Sequence, residues 1–380
     1  MQNLHTVWQA IDRKRLKEIL VDMIDIYSPS GKEEEIQLYL EKVLLQAGVE
    51  VGKQPLEDGR YNLVATLKHQ TPDFFLVGHV DTVTAWDLEN YGAEIDNDTV
   101  RGLGSADMKG GCAAMVEAWL ALAELEPDRR PNAGLALVVG EEENGEGSAA
   151  FLKEYQPSWV VIGEPTSLAA CLAHYGYLEA GLVTKGRRIH SSLPELGHNA
   201  VESMLRVLLY LGRDPLFKKK ESPVVFSIRE LSSSQAGFVV PDRCDTWIDM
   251  HLAPGVTPEL IQETIERRIE STKSKIPDLD IELTIDFARG YDLGYEENVC
   301  TVLARIYAAR QVALAYDVFR SHSDANLFFA AGTCPLVLGP GSLETAHTLH
   351  EKTSLNQVLE AAHIYAGLCL AAQSLSAKSR

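Results

Sequence analysis

Five side chains in this sequence have the types and positions expected of a metal site. Each follows an apolar run or a glycine-rich turn, which can hold a polar side chain at the edge of a buried sheet. They are two imidazoles and three carboxylates: His79, Asp107, Glu142, Glu164 and His347. Because the set contains no thiolate, it suits two hard or borderline divalent cations, such as zinc, cobalt or manganese.

The first candidate follows an apolar run, Phe74 to Val77, that predicts a strand buried on both faces. After Gly78 the chain reads His79-Val80-Asp81, and in this spacing the carboxylate can fix the tautomer and orientation of a metal-binding imidazole. A histidine at a strand end is more often structural than a ligand, so this interpretation depends on the other candidates.

Asp107 lies in a glycine-rich turn, Gly102 to Gly111, that precedes an apolar helix. The turn has neither the dinucleotide-binding fingerprint nor the Walker pattern, so it does not indicate a phosphate site. An aspartate at the start of a helix is either a cap or, where the main chain allows close approach, a ligand.

Two further apolar runs, Ala133 to Gly140 and Trp159 to Gly163, predict strands that end in glutamates. The first leads into Glu141–Glu143, three adjacent carboxylates that repel one another unless a cation or a shared proton relieves them. The second leads into Glu164. Ligands bind at the carboxyl ends of strands in open α/β sheets, so we expect all these groups at one edge.

Two metal ions at such an edge would polarise a carbonyl group and lower the pKa of a water molecule. A carboxylate that lies beside a ligand without being one would take the proton from that water. The collected residues therefore favour metal-assisted hydrolysis.

The motifs that carry these residues occur in the order found in the M20 family of dinuclear zinc amidohydrolases and exopeptidases, which the chain resembles. That family includes acetylornithine deacetylase, succinyl-diaminopimelate desuccinylase and glutamate carboxypeptidase. Segments of both predicted domains match it: Gly78–Val83, Gly102–Gly111, Gly140–Glu142, Ile162–Thr166, Gly339–Gly341 and Ala346-His347, with Gly186–Ser192, Gly197–Ala200 and Val240–Asp242 similar to its lid motifs.

The resemblance implies a role for each matching metal-site residue. Asp107 would bridge two metal ions, most often zinc in this family. His79 and Glu164 would hold one of them, and Glu142 and His347 would hold the other.

The resemblance also implies catalytic roles for residues that do not bind metal. Glu141 would be the general base, and Asp81 would orient the metal-binding imidazole. His190 would lie on the lid, where in dimeric relatives the equivalent imidazole reaches the neighbouring subunit's site, and Asn199 would assist it. The candidate substrate contacts outside the lid are Arg320, Asp324 and Gly341.

Two departures from the family pattern leave alternatives open. The three glutamates permit either Glu141 as base with Glu142 as ligand, or the same roles shifted to Glu142 and Glu143. Where many relatives carry Asp-x-Arg on a lid strand, this chain reads Asp249-Met250-His251. The loss of that arginine could change how a substrate carboxylate is held.

The surrounding elements predict an α/β catalytic domain with a mixed sheet and an inserted ferredoxin-like α+β domain. A single helix is expected over Thr6–Tyr27, before the first strands. From His174 the order becomes β-α-β-β-α-β, which is typical of a ferredoxin-like unit. The predicted domains are 1–173 and 289–380 for the catalytic part and 174–288 for an insert serving as lid and dimerisation domain.

Composition excludes several other classes of protein. The net charge of −19, from 35 Lys and Arg against 54 Asp and Glu, argues against nucleic acid or an anionic membrane as a partner. Six scattered cysteines without a C-x-x-C pair indicate reduced thiols. The first thirty residues lack the pattern of a signal peptide, so we expect a cytoplasmic protein.

The predicted function is hydrolysis of the amide bond in an N-acyl amino acid by a homodimeric enzyme. An exopeptidase, either a carboxypeptidase or a dipeptidase, is the alternative on the same site, since no motif distinguishes an acyl from an amino-acyl group. A non-catalytic metal-binding scaffold is the third possibility. We would expect such a scaffold to lack a ligand or the base, and the sequence contains all of them.

Overall fold

A computed structural model describes residues 2–85, 87–218, 222–234, 237–276 and 278–376. Its contacts divide the chain into two compact units. The first comprises Met1–Leu172, Leu293–Phe319 and Ser323–Arg380, and the second comprises Ala173–Asp292 and Arg320–His322. The sequence placed the boundaries at 173/174 and 288/289, and the catalytic and lid roles of the domains stay predictions.

The described helices and strands alternate through most of the chain. The helices are α1 Gln2–Ala10, α2 Arg13–Asp25, α3 Glu34–Gln46, α4 Lys109–Ala123, α5 Glu146–Glu154, α6 Ala200–Leu211, α7 Pro258–Lys273, α8 Glu297–Arg310, α9 Ala325–Ala330, α10 Leu355–Leu370 and α11 Ala372–Ser376. The strands are β1 Val51–Pro55, β2 Tyr61–Thr66, β3 Phe74–His79, β4 Glu94–Asp96, β5 Thr99–Arg101, β6 Gly134–Val138, β7 Trp159–Ile162, β8 Ala170–His174, β9 Gly176–Lys185, β10 Val224–Ser233, β11 Arg243–Leu252, β12 Asp280–Ala288, β13 Tyr291–Asp292, β14 Tyr316–Phe319, β15 Cys334–Val337 and β16 Lys352–Ser354.

The first unit is built on a mixed sheet in the order β1-β2-β6-β3-β7-β15-β8. Strand β3 lies between β6 and β7 and runs parallel to both, and β7 is parallel to β15. All residues of β3, β6 and β7 are buried, as their uninterrupted apolar runs predicted. The four parallel strands therefore deliver the residues that follow them to the same edge of the sheet.

Helix α4 forms the centre of the first unit. Every one of its residues is buried, which its almost wholly apolar sequence explains. Trp119 of α4 and Tyr365 of α10 are among the largest side chains of the core. Because Asp107 lies immediately before α4, this packing also fixes where the glycine-rich turn ends.

The amino-terminal helix differs from the prediction of one helix over Thr6–Tyr27. The chain breaks at Ile11-Asp12, and the Asp12 carboxylate caps α2 by accepting the main-chain N–H groups of Lys14 at 2.7 Å and Arg15 at 3.3 Å. The apolar periodicity continues across the break, so the pattern did not indicate that Asp12 begins a new helix.

The second unit confirms the predicted ferredoxin-like architecture. Its strands form an antiparallel sheet in the order β10-β11-β9-β12, with α6 and α7 in the connections. Thr257 caps α7 as expected, accepting the N–H of Leu260 at 3.3 Å. An exposed loop is also predicted over 218–220, of which Lys219 and Lys220 lie outside the described residues.

Two further features of the chain concern its environment. None of the six cysteines, all of which the structure describes, forms a disulfide; five are buried and Cys334 is partly exposed. Among the described residues, no helix has both the length and the apolar character that a membrane crossing would need.

Candidate metal centre

The carboxyl edge of the first unit's sheet gathers the predicted metal-site residues. His79 ends β3, Glu141 and Glu142 follow β6, and Glu164 follows β7. Asp107 comes from the turn before α4. One ligand atom each of His79, Asp107 and Glu142 lie within 4.8 Å of one another.

The imidazole of His79 lies at the centre of three carboxylates. Its Nε2 atom is 3.4 Å from Asp107 Oδ1, 3.6 Å from Glu164 Oε1 and 3.8 Å from Glu141 Oε2. The residue is 1 % exposed, and Nε2 has no hydrogen-bond partner among the described residues. A buried polar atom without a partner is costly, so this atom fits a metal ion better than packing.

The second imidazole, His347, faces the other oxygen of the same aspartate. Its Nε2 atom is 3.4 Å from Asp107 Oδ2 and 3.1 Å from Glu142 Oε2. The side chain is half exposed. Asp107 therefore presents one carboxylate oxygen to each histidine, which is the arrangement expected of a residue shared by two cations.

The charges of the cluster are unbalanced. Burial, reinforced by neighbouring carboxylates, raises the pKa values of Glu141 and Glu164 well above their ordinary range. Burial also acts to raise the pKa of Asp107, but the two nearby histidines lower it below its usual range. Four buried or nearly buried carboxylates around two imidazoles thus form a strongly acidic site, which two divalent cations would neutralise.

A second buried atom supports the same donor set. Glu164 Oε1 has no hydrogen-bond partner among the described residues, although Glu164 is 3 % exposed. Oxygen and imidazole nitrogen donors without thiolates are the ligands that zinc, cobalt and manganese accept. The residues present therefore fit a dinuclear metal site.

The carboxylate of Asp81 makes contacts that the sequence interpretation did not include. It accepts the main-chain N–H groups of Glu141 at 3.2 Å and Glu142 at 3.0 Å, and the hydroxyl of Ser30 at 2.7 Å. His79 Nδ1 lies closer to the main-chain carbonyl of Asp81, at 3.1 Å, than to its carboxylate, at 3.6 Å. The carboxylate thus holds the glutamate turn beside the histidine.

The three adjacent glutamates are in different environments. The side chains of Glu141 and Glu142 are 10 % and 6 % exposed and face His79 and His347, whereas Glu143 is exposed. Gly140 precedes them with a φ of +75°, a conformation that glycine adopts readily and that turns the chain at the end of the strand.

The other first-unit candidates make internal contacts. Asp324 is buried and accepts the Ser148 hydroxyl at 2.6 Å, and burial raises its pKa to about 6. Gly341 donates its N–H to the side chain of Gln357 at 3.0 Å. Their role as substrate contacts stays a prediction.

Three candidates belong to the second unit. His190 is exposed, and its Nδ1 lies 2.7 Å from the Ser192 hydroxyl. Asn199 caps α6 by accepting the N–H groups of Val201 and Glu202 at 3.0 and 3.3 Å. Arg320 is exposed, with its guanidinium 5.9 Å from the centre of the Tyr175 ring.

The sequence interpretation missed two residues that support the site. Ser30 bonds the Asp81 carboxylate, and Glu351 accepts N–H groups from the turn that carries Asp107. Ser30 lies in a Ser-Pro-Ser-Gly sequence after the first predicted helix, which indicates the end of that helix and not a contact with Asp81. Glu351 follows His347 by four residues, and nothing in its neighbours predicts that it is buried.

Comparison with known proteins gives concordant matches. The family model described as peptidase family M20/M25/M40 matches residues 75–371. Acetylornithine deacetylase of Proteus mirabilis is 27 % identical over 316 residues, which is 79 % of each chain. A probable carboxypeptidase of Aspergillus terreus is 31 % identical over 379 residues, covering 92 % of this chain and 85 % of the relative.

Solved structures match the fold over nearly the whole chain. Human carnosine dipeptidase 1 has a TM-score of 0.81 at 16 % identity, with 98 % of each chain covered. A dinuclear metal-binding peptidase of the M20 family from Bacillus subtilis has a TM-score of 0.69 at 12 % identity, covering 94 % of this chain and 97 % of that one.

Proposed function

The chain belongs to peptidase family M20/M25/M40 and is a hydrolase, and on this premise we propose that it cleaves the amide bond of an N-acyl amino acid. The observation that carries the proposal is the position of Asp107, whose two carboxylate oxygens lie 3.4 Å from His79 Nε2 and 3.4 Å from His347 Nε2. Around it, Glu141 is a buried carboxylate in the position of a base.

Five residues would hold two divalent cations. These are most often zinc in such sites, and cobalt and manganese are the alternatives. Asp107 would be shared, His79 and Glu164 would complete one site, and Glu142 and His347 would complete the other. The contact of His347 with Glu142 and the separate contact of His79 with Glu164 support this division. When bound, the cations supply Lewis acidity and a water of lowered pKa.

Glu141 is assigned the proton transfers. As a general base it takes a proton from the attacking water, and it then donates that proton to the amine nitrogen as the amide C–N bond breaks. The products are a carboxylic acid and a free amino group. Burial raises the pKa of Glu141 well above its ordinary value, and cations held beside it would lower that pKa, so that the group can accept the proton and then release it.

We assign Glu141 as the base and Glu142 as the ligand. The alternative assigns these roles to Glu142 and Glu143. The support is that Glu142 contacts His347 and Glu141 lies beside His79, whereas Glu143 is exposed. Asp81 assists both residues through their main-chain N–H groups.

An exopeptidase is the second candidate, because specific relatives favour it. The relative from Aspergillus terreus is described as a probable carboxypeptidase, and the human structural neighbour is a dipeptidase. His251 in place of the arginine common on the lid strand would affect either substrate, since both carry a carboxylate. Its imidazole is partly buried, and burial lowers its pKa.

The assembly and location belong to the same proposal. We assign the second unit as a lid and dimerisation domain, with His190 and Asn199 acting at the site of a neighbouring subunit, and Arg320, Asp324 and Gly341 as substrate contacts. Six cysteines that form no disulfide in the described part of the chain support a reducing compartment, the cytoplasm. An acidic chain with a net charge of −19 supports a small-molecule substrate over nucleic acid or membrane.

The substrate class is tested by hydrolysis of N-acetyl, N-succinyl and N-formyl amino acids beside a panel of dipeptides. Cleavage of acyl amino acids in preference to dipeptides is the expected result. Faster cleavage of dipeptides would replace this proposal by the exopeptidase, and failure to cleave either class by protein holding two metal ions would contradict both.

A further inference from the structure

Glu351 joins the two segments that carry Asp107 and His347. Its carboxylate accepts three main-chain N–H groups of the glycine-rich turn: Gly104 at 3.0 Å, Ala106 at 2.9 Å and Asp107 at 3.0 Å. Main-chain N–H groups that converge in this way form a concave site for an acceptor group, and here the acceptor is a side chain of the same protein. Glu351 is 3 % exposed, so water does not compete for these bonds.

The main chain of Glu351 makes the second half of the connection. Its N–H donates to the Thr348 carbonyl at 3.2 Å, which closes the turn directly after His347, and its carbonyl accepts the N–H of Gly102 at 3.3 Å. The next residue, Lys352, pairs with Arg101 where β16 joins β5. The segment of His347 and the turn of Asp107 are thus attached to each other at both ends of the turn.

His347 requires such support because its own backbone is strained. Its φ of +58° lies in the left-handed region, which histidine adopts at a cost. Its side chain is half exposed, so packing around the imidazole does little to hold it. The anchor four residues later therefore restrains the main chain that carries the imidazole, and with it where the imidazole lies relative to Asp107.

We propose that Glu351 is a positioning residue that sets the separation of Asp107 and His347 and thereby the affinity of the second metal ion. The inference rests on the proposed function, since it takes both residues as ligands of one ion. Three main-chain hydrogen bonds, shared between the two carboxyl oxygens, hold the turn in place. A glutamine side chain accepts through one oxygen only and would direct its NH2 group at a main-chain N–H, which would let the turn shift and separate Asp107 Oδ2 from His347 Nε2.

The test is a zinc titration of the full chain against a competing fluorescent chelator, with cobalt spectra as a second readout. We expect the wild-type protein to bind two ions. In Glu351→Gln the first ion should bind within about threefold of wild type, and the second at least tenfold more weakly, the range typical of residues that support ligands. The visible spectrum of the second bound cobalt should shift as well.

Glu117→Gln is the matched control. Glu117 is also a fully buried carboxylate that accepts a main-chain N–H, from Asp12 at 2.7 Å, and it pairs with Arg15 away from the candidate ligands. This variant should melt at a lower temperature with both zinc affinities unchanged.

Each other outcome decides a different claim. If Glu351→Gln binds each zinc ion as tightly as the wild-type protein does, this inference alone is overturned. The same follows if the Glu117→Gln control weakens binding of the second ion as much as Glu351→Gln does. Wild-type protein that binds fewer than two ions would overturn the proposed function together with the inference. If Glu351→Gln does not fold, Glu351→Asp retains the charge but shortens the side chain, and unchanged binding of the second ion in that variant would overturn the inference.

Discussion

The carboxylate of Asp81 accepts the main-chain N–H of Glu142 at 3.0 Å and that of Glu141 at 3.2 Å. These bonds join the residues after β3 to those after β6 and hold the proposed base and ligand in one turn. The nearest polar partner of His79 Nδ1 is the main-chain carbonyl of Asp81, at 3.1 Å. Asp81 therefore supports the histidine through its main chain and the glutamates through its side chain.

Replacing Asp81 by asparagine should impair turnover more than substrate binding. The amide can offer only one oxygen where the carboxylate accepts two main-chain N–H groups, so the turn of Glu141 and Glu142 should lose one of its restraints. We expect kcat to fall by roughly 10- to 100-fold, measured by steady-state hydrolysis. Asp87→Asn, at an exposed aspartate that also accepts a main-chain N–H, should change kcat by less than about twofold.

The roles of the three adjacent glutamates should be distinguished when each is changed to glutamine. Glu141→Gln should retain metal but lose about 10²- to 10⁴-fold in rate, because an amide cannot take up the proton. Glu142→Gln should lose metal content, and Glu143→Gln, at an exposed position, should resemble wild type. Elemental analysis alongside initial rates makes the comparison, and a rate defect confined to Glu142→Gln and Glu143→Gln would shift both roles by one residue.

A methyl group at Gly111 should destabilise the protein near Glu164. A Cβ atom there would lie 2.2 Å from the carbonyl oxygen of Gly163, so the start of α4 would be pushed from the end of β7. We expect Gly111→Ala to cost about 1–3 kcal/mol of unfolding free energy, seen as a lower melting temperature. In the control Gly52→Ala the nearest atom is Val64 O at 3.6 Å, and the melting temperature should hardly change.

The role of Asn199 can be determined by two substitutions that have different effects on its capping bonds. Aspartate caps helices as well as asparagine does, so Asn199→Asp should keep the stability that Asn199→Ala loses, about 1 kcal/mol. If the amide also acts on substrate, both variants should lose activity. Normal activity in Asn199→Asp would restrict the residue to its cap at α6.

Metal removal should lower thermal stability as well as activity. The buried carboxylates around His79 and His347 repel one another when no cation balances them. Zinc at about 100 times its dissociation constant would add about 2.7 kcal/mol to the free energy of unfolding. Scanning calorimetry with chelator and then with added zinc measures the effect, and His347→Ala should reduce the response to zinc.

The elements that deliver the site could be predicted because their patterns are simple. Continuous apolar runs identified β3, β6 and β7, and each ended at the polar residue that the structure gathers at the sheet edge. The order of strands and helices likewise predicted the architecture of the second unit. These features depend on residues that are close in the sequence, so one sequence is enough to predict them.

The contacts between distant segments could not be predicted in the same way. The Glu351 carboxylate meets the Asp107 turn across more than two hundred residues, and no periodicity marks it. The short strands β4, β5 and β16 have three residues each, too few to show a reliable alternation of apolar and polar side chains. The use of the Asp81 side chain also depended on where the β6 turn lies in space.

The central claim is that two metal ions held around Asp107 support amide hydrolysis. The most direct measurement is to remove metal from the protein, add zinc back in known equivalents, and follow both bound metal and hydrolysis of N-acyl amino acids. The account predicts no activity without metal, and full activity when two ions are bound per chain. Activity that survives complete chelation would contradict it. An Asp107→Asn variant that still binds two ions and remains active would also contradict it.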